Sequence, residues 1–124
     1  MDTEYLYINS RDELLRIDIS KIVYFEANGN YTTIVLTNKL KSMANMSLVQ
    51  TEKALEDRLK NKASQFARLG KRFIINLNYV YDINVANQTL MLTNYSSFAF
   101  QVPISKEALK KLKDLYLNAK SKNK

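Results

Sequence analysis

The stretch that decides the fold runs from residue 22 to residue 37 and is Ile22-Val-Tyr-Phe-Glu-Ala-Asn-Gly-Asn-Tyr-Thr-Thr-Ile-Val-Leu-Thr37. Its two halves are rich in the β-branched and aromatic residues that are enriched in strands. Between them lies Asn28-Gly29-Asn30, and Asn and Gly tolerate the positive φ angles of a tight hairpin turn. The sequence therefore predicts two antiparallel strands joined by a short connection.

Further strand-like segments lie on both sides of this hairpin. Residues 5–8 and 14–19 are separated by a turn-rich break and predict an opening hairpin, and residues 40–43 predict a short additional strand. Three more segments, at residues 80–85, 89–93 and 98–102, alternate apolar with polar residues and predict a meander. Pro103 should end the pairing because it has no N–H to donate.

Two helices complete the prediction. Ser47, with Gln50 three positions later, forms a capping-box pattern before a helix that should end near residues 60–62 and that carries Leu48, Leu55 and Leu59 on one face. Ser105 should cap a final helix. That helix has an apolar stripe predicted to dock on the sheet, formed by Ala108, Leu109, Leu112, Leu115 and Tyr116.

The predicted fold class is mainly β with short α-helices, an α+β arrangement of antiparallel strands with the C-terminal helix docked on the sheet. With two Gly, one Pro and no low-complexity linker, nothing in the 124 residues marks a domain boundary. We expect one domain over residues 1–124, with a core at about 4–118 and a frayed basic tail at 119–124.

The composition argues against an enzyme. The chain has no His and no Cys, so the commonest general base, the thiolate nucleophile and the usual metal ligands are missing. Two glycines cannot form a Gly-rich phosphate-binding loop. We expect no catalytic residue, no cofactor and no metal. The acidic N-terminus lacks an apolar signal core and no run is long enough to span a membrane, which favours a cytoplasmic protein without a membrane partner.

Positive charge is concentrated in two segments of a chain whose formal net charge is +7. Residues 58–72 contain six cations and no acid, and residues 106–124 contain seven Lys and two acids. Clustered cations attract polyanions and accelerate the encounter with them. The cations at Arg58, Lys60 and Lys62 also suit the negative end of the first helix, so Lys71 and Arg72 are the stronger candidates for ligand binding.

Three places collect polar and cationic residues at the ends of predicted rigid elements, and we expect them to project from one edge. They are the hairpin tip from Asn28 to Thr32, the segment from Arg68 to Arg72, interpreted as a charged loop, and the cap at Ser105 and Lys106. A cation such as Lys106 in a first helical turn opposes the helix dipole unless an anion shares the site. Asn28 and Asn30 have an alternative role as simple turn formers.

The chain resembles the LytTR DNA-binding domain of bacterial transcription regulators. Four motifs in the family's order carry the resemblance, over about residues 4–118. They are Ile22 to Thr32, Ser47 to Leu55, Phe66 to Val80, and Val102-Pro-Ile-Ser-Lys106.

The resemblance implies an elongated, mostly β fold whose loops enter successive major grooves of double-stranded DNA at short direct repeats, often with a second copy bound. It implies the output domain of a response regulator and no small-molecule substrate. Its three base-recognition loops correspond to the DNA-binding candidates Asn28, Asn30 and Thr32, then Arg68, Lys71 and Arg72, then Ser105 and Lys106. Family members often carry a receiver or membrane domain ahead of this one. None precedes it in this sequence, so we expect no phosphorylation control within the chain.

The sequence departs from the family pattern at two loops. Gly70-Lys71-Arg72 stands where a His-Lys-Ser type of sequence is frequent, and Lys106 stands where Arg is usual after the cap. Lys lacks the planar fork of Arg, so the DNA target remains open.

Two alternative functions remain open. An RNA-binding or ribosome-associated module would use some of the eight Tyr and five Phe to stack unpaired bases. An interaction module would use the basic tail to meet an acidic protein or a membrane surface, and deletion of residues 119–124 would then abolish binding.

Overall fold

Antiparallel strands dominate the computed structural model, which describes residues 3–122 and the side chains of residues 3–118. The chain forms two compact units, Met1–Asn78 and Tyr79–Lys124. The predicted α+β class, mainly antiparallel β with a C-terminal helix, is confirmed.

The first unit contains a two-stranded and a five-stranded antiparallel sheet together with one α-helix. Its elements in chain order are β1 (Tyr5–Asn9), β2 (Leu14–Asp18), β3 (Ile22–Asn28), β4 (Tyr31–Leu36), β5 (Lys41–Ala44), α1 (Leu48–Leu59), β6 (Phe66–Leu69) and β7 (Phe73–Asn76). The larger sheet has the order β5-β4-β3-β7-β6, so β3 is its central strand. This strand is the first half of the stretch that predicted the hairpin.

The core of the first unit lies between the sheets and α1. Phe25 of β3, Ile34 of β4 and Ile74 of β7 are fully buried there, and α1 contributes Leu55 and Leu59. Burying each such side chain contributes roughly 1.5–3 kcal/mol. The buried Asn76 donates from Nδ2 to the backbone carbonyl of Ile22 at 2.8 Å, which ties β7 to the start of β3. The turns at the other end of β3 and β7 are therefore held on a packed framework.

The predicted cap of α1 is confirmed. Ser47 Oγ accepts a hydrogen bond from the N–H of Gln50 at 3.1 Å, and Gln50 Oε1 accepts one from the N–H of Ser47 at 2.8 Å. The helix ends at Leu59, and a short 3-10 helix, Lys60–Gln65, leads into β6. The interpretation of the segment from Arg68 to Arg72 as a charged loop was wrong for its first two residues, because Arg68 and Leu69 belong to β6, an edge strand paired with β7.

The second unit is the predicted meander followed by a helix. Its elements are β8 (Val80–Asn84), β9 (Thr89–Thr93), β10 (Ala99–Pro103) and α2 (Lys106–Lys122), and the strand order is β10-β9-β8. Pro103 is the last residue of β10, as expected. Helix α2 packs against β8.

The apolar stripe of α2 is buried over its first half only. Ala108, Leu109 and Leu112 are buried, whereas Leu115 and Tyr116 are 51% and 37% exposed. The prediction that the whole stripe docks was therefore wrong for these last two residues. The predicted tail at residues 119–124 lies largely outside the described residues, although the helical backbone continues to Lys122.

Candidate nucleic-acid interface

The tip of the β3–β4 hairpin exposes two amide side chains. Asn28 ends β3 opposite Tyr31, Asn30 lies in the turn, and both are exposed. Gly29 between them has φ +66°, and a Cβ built there would meet nothing within 4 Å. The left-handed backbone, and not lack of space, is therefore what favours glycine at this position.

Thr32 faces the opposite way from these amides. Its side chain is buried, at 1% exposure, and its Oγ1 donates to the backbone carbonyl of Met46 at 2.7 Å. The hydroxyl thus fastens β4 to the segment that leads into α1. It has no exposed surface to offer to a ligand, and so its burial argues against a direct contact with DNA.

The β6–β7 hairpin lies next to the β3–β4 hairpin. The N–H of Ala27 donates to the carbonyl of Arg72 at 2.7 Å, and Glu26 lies opposite Phe73 in the β3–β7 pairing. Residues 70–72 form the turn, with Gly70 at φ +66°. Two of the three predicted loops are consequently brought together, because their strands are neighbours in one sheet.

A groove of about 230 Å³ lies between these turns and the start of α1. The β3–β4 hairpin and the segment at the start of α1 contribute both polar and apolar residues, and the β6–β7 hairpin contributes two cations. The lining includes Gly29, Tyr31, Ser47, Val49, Arg68 and Lys71. Among the residues that line this groove, Arg68 and Lys71 carry the positive charges that suit an anion.

Carboxylates from other elements pair with both arginines of the β6–β7 hairpin. Arg68 Nη1 lies 3.2 Å from Glu52 Oε1 of α1, and Arg72 Nη2 contacts Glu26 Oε2 of β3. Arg68 is partly buried, and its Nε has no hydrogen-bond partner among the described residues. Lys71 is exposed and lies in no ion pair within the part of the chain that the structure describes.

Arg72 is held at its guanidinium as well as at its backbone. Its guanidinium carbon lies 5.4 Å from the centre of the Phe73 ring. Its side chain is 61% exposed, whereas that of Glu26 is 29% exposed. Burial raises the pKa of the Tyr24 phenol, and the Glu26 carboxylate on the same strand raises this pKa further. Glu26 thus acts on two groups, the exposed guanidinium of Arg72 and the buried phenol of Tyr24.

The third predicted place belongs to the second unit. Ser105 caps α2, since its Oγ accepts from the N–H of Ala108 at 3.3 Å and its carbonyl accepts from the N–H of Leu109 at 3.0 Å. The N–H of Ile104 donates to the carbonyl of Gln88 at 3.1 Å, which anchors the approach to the helix. Lys106 is exposed at the first position of α2, and Glu107 beside it supplies an acid that suits the helix dipole.

The sequence did not identify Glu26 and Glu52 as partners of the arginines. The spacing of Glu26 from Asn28 nevertheless places both on one face of β3. That periodicity was the available signal for Glu26. Arg58, another cation of the basic segment, donates to the carbonyl of Tyr5 at 2.9 Å and is thereby given a structural role.

The described residues do not meet the requirements of a metal site or of a membrane-spanning helix. Residues 3–122 contain no group of three or more acidic, His or Cys side chains able to hold a metal ion. Within the same range, no helix is both long enough and apolar enough to cross a membrane.

Comparison with known proteins decides the family. The model of the LytTr DNA-binding domain matches residues 12–116, which is most of the chain. The chain belongs to the LytTr DNA-binding domain family. The match extends across both compact units of this LytTr domain, from the turn before β2 to the exposed part of α2.

Relatives and a solved structure are consistent with this family. Two heme-containing CO-sensing transcriptional regulators of Paraburkholderia xenovorans (strain LB400), RcoM 2 and RcoM 1, are 29% and 28% identical over 105 residues. These matches cover 85% of this LytTr chain, which spans only 37% of the length of either relative. A solved LytTr domain, assigned to a putative methyl-accepting/DNA response regulator from Bacillus cereus, superposes with a TM-score of 0.65 at 21% identity. That match covers 93% of this chain and 98% of the solved one, and supports the fold.

Proposed function

We propose that this LytTr domain binds double-stranded DNA sequence-specifically and regulates bacterial transcription in the cytoplasm. In this proposal its loops enter successive major grooves at short direct repeats, and two copies occupy a tandem site. The domain acts as a binding module without catalysis, cofactor or small-molecule substrate. The family match extends across both compact units, which supports a single DNA-binding domain over residues 1–124.

One observation carries this proposal. The hydrogen bond from Ala27 to Arg72 joins two exposed turns, one with the amides of Asn28 and Asn30 and the other with the cations Lys71 and Arg72. Amides and guanidinium groups are the side chains that pair with adenine and guanine edges, and ammonium groups neutralise phosphates. A packed sheet beneath both turns fixes where these groups point.

The eight candidate residues divide into two roles under this proposal. Asn28, Asn30, Lys71, Arg72 and Lys106 are exposed, and we assign them to DNA contact. We assign the remaining three to a structural role, through the Met46, Glu52 and helix-cap bonds described above. They are Thr32, Arg68 and Ser105.

The experiment is selection of bound duplexes from a random pool. We expect enrichment of paired short direct repeats, with a spacing that repeats the helical period of DNA. The selected duplex should bind far more tightly than a scrambled duplex of the same length, since specific sites exceed non-specific ones by about 10³–10⁷ in affinity. A pool that yields no common sequence after several rounds contradicts sequence-specific binding.

An RNA-binding module is the second candidate, and one observation favours it. Tyr81 and Tyr95 of the second unit are 61% and 82% exposed, and their rings pack edge to face at 5.7 Å. Exposed rings of this kind stack unpaired bases. Competition between single-stranded RNA and the selected duplex separates the two candidates, because a base-stacking module prefers the RNA.

A further inference from the structure

The arginines of the β6–β7 hairpin are not free cations. Glu52 and Glu26 approach Arg68 and Arg72 from elsewhere in the chain, so the two carboxylates offset two of the hairpin's three positive charges. In the Glu26–Arg72 pair the arginine is exposed and Glu26 is partly buried, and ion pairs that reach solvent contribute little to stability. The pair therefore calls for a role other than holding the fold together.

Glu26 changes what Arg72 is able to bind. An arginine carries five N–H donors in a planar fork, and the described contact with Glu26 involves Nη2, so other donors of the fork remain for a ligand. Those donors suit the neutral O6 and N7 acceptors of guanine. A phosphate, in contrast, brings a negative charge close to the Glu26 carboxylate and is repelled by it.

Contacts at the backbone and at the guanidinium limit the positions that the Arg72 side chain can take. Its carbonyl is held by the N–H of Ala27, the residue after Glu26, and its guanidinium lies near the Phe73 ring. The carboxylate thus restrains the guanidinium of a residue whose backbone carbonyl is already bonded to β3. A restrained arginine loses less conformational freedom when it meets a base edge.

We propose that Glu26 is a specificity-determining residue of this domain, which holds Arg72 for a base edge and opposes its use as a phosphate contact. This inference rests on the proposed DNA-binding function and deepens it. Glu26 acts through Arg72 and needs no contact with DNA of its own. The carboxylate reduces binding to arbitrary duplexes more than it reduces binding to the correct one.

The test is Glu26→Gln, measured by fluorescence anisotropy on the selected duplex and on a scrambled duplex of the same length. We expect the affinity for the scrambled duplex to rise roughly threefold to tenfold, because Arg72 becomes available to a phosphate. The slope of log K against log salt on that duplex should steepen by about 0.9. Affinity for the selected duplex should rise less or fall, so the ratio of the two affinities decreases.

Two further variants show whether Glu26 acts through Arg72. In an Arg72→Gln background, Glu26→Gln should change neither the affinity ratio nor the salt slope. Glu26→Asp retains the negative charge and should keep most of the wild-type ratio. Glu13→Gln, which removes one exposed acid from the β1–β2 turn, is the matched control for net charge and should leave the ratio unchanged.

The outcomes distinguish this inference from the proposed function. If the wild-type domain does not prefer any duplex, the proposed function fails and the inference fails with it. If the wild type is selective and Glu26→Gln raises or lowers both affinities by the same factor, the inference alone is overturned. The same applies if Glu13→Gln reduces the ratio as much as Glu26→Gln does. Circular dichroism confirms that each variant is folded at the assay temperature.

Discussion

At the scale of single residues, Thr32 shows how one side-chain type fits two roles. A hydroxyl at a hairpin tip is a reasonable DNA contact by chemistry, and the resemblance to the family places it in a base-recognition loop. Strand alternation nevertheless turns it inward, where Met46 accepts its hydrogen bond at 2.7 Å. Asn30, two residues earlier, is exposed and makes the better candidate contact.

We expect Thr32→Ala to lower the free energy of unfolding by roughly 1–3 kcal/mol, because the Met46 carbonyl loses its buried partner. Urea denaturation followed by circular dichroism measures this loss. DNA affinity at a temperature where the variant is folded should be unchanged. Asn30→Ala is the matched comparison and should weaken DNA binding while changing stability by less than about 0.5 kcal/mol. If Thr32→Ala weakens DNA binding and leaves the stability unchanged, the structural role assigned to Thr32 is contradicted.

The Tyr24 phenol gives a second residue-scale prediction. Its pKa is raised above 10.0, first by burial and then by the charge of Glu26. The folded state therefore holds this proton more tightly than the unfolded state does. The bound proton of Tyr24 therefore stabilises the folded state below pH 10, and this stabilisation is lost as the pH rises through the raised pKa.

Glu26→Gln should accordingly lower the pKa of Tyr24 without returning it to 10.0, since burial remains. The ring carbon bonded to the phenol oxygen reports this titration by NMR. Glu13→Gln should leave the Tyr24 pKa unaltered. An unchanged Tyr24 titration in Glu26→Gln would mean that the carboxylate does not act on the phenol.

At the scale of elements, the starts of both α-helices are set by side-chain caps. The capping box of Ser47 and Gln50 satisfies N–H groups on both sides of the start of α1, and Ser105 does the same for one N–H of α2. Helix α1 in turn packs on β1, β3 and β7, and its start lines the groove beside the two turns. The cap thus fixes one wall of the candidate interface.

Ser47→Ala should destabilise the protein by about 1 kcal/mol, within a range of about 0.5–2, because one N–H loses its acceptor. Guanidinium denaturation measures the change in unfolding free energy. Ser47→Asn keeps a good cap without adding charge and should retain most of the stability. Equal losses in the two variants would show that the cap bond is not what Ser47 contributes.

Elements with local signals were predictable from sequence, and those that depend on distant partners were not. The turn at Gly29, the capping box and the Ser105 cap depend on residues within a few positions, and all were found. Strand β6 pairs with the neighbouring β7 across the turn at residues 70–72, and it was missed because it is only four residues long and contains a cation. The Arg72–Glu26 pair spans 46 residues and was missed because its two members are distant in sequence. The basic segment was therefore interpreted as a set of free charges, although two of its arginines are paired.

At the scale of the whole molecule, the net charge of +7 overstates what is available to a polyanion. Arg58, Arg68 and Arg72 each have a partner within the described chain, a backbone carbonyl for Arg58 and a carboxylate for the other two. Lys71 in the first unit and Lys106 in the second are exposed, and no described carboxylate forms an ion pair with either. These two lysines are the natural probes of whether both units contact one duplex.

If both units contact the same duplex, the effects of Lys71→Ala and Lys106→Ala on salt dependence should add. Each variant should lower the magnitude of the slope of log K against log salt by about 0.9, and the double variant by about 1.8. The measurement is a salt titration of affinity for the selected duplex. Lys53→Ala, an exposed lysine of α1 outside the groove lining, removes the same charge and should leave the slope unchanged. If only one unit touches the DNA, only the variant in that unit should change the slope and the double variant should match it, because each lysine that neutralises a phosphate makes its own contribution to counterion release.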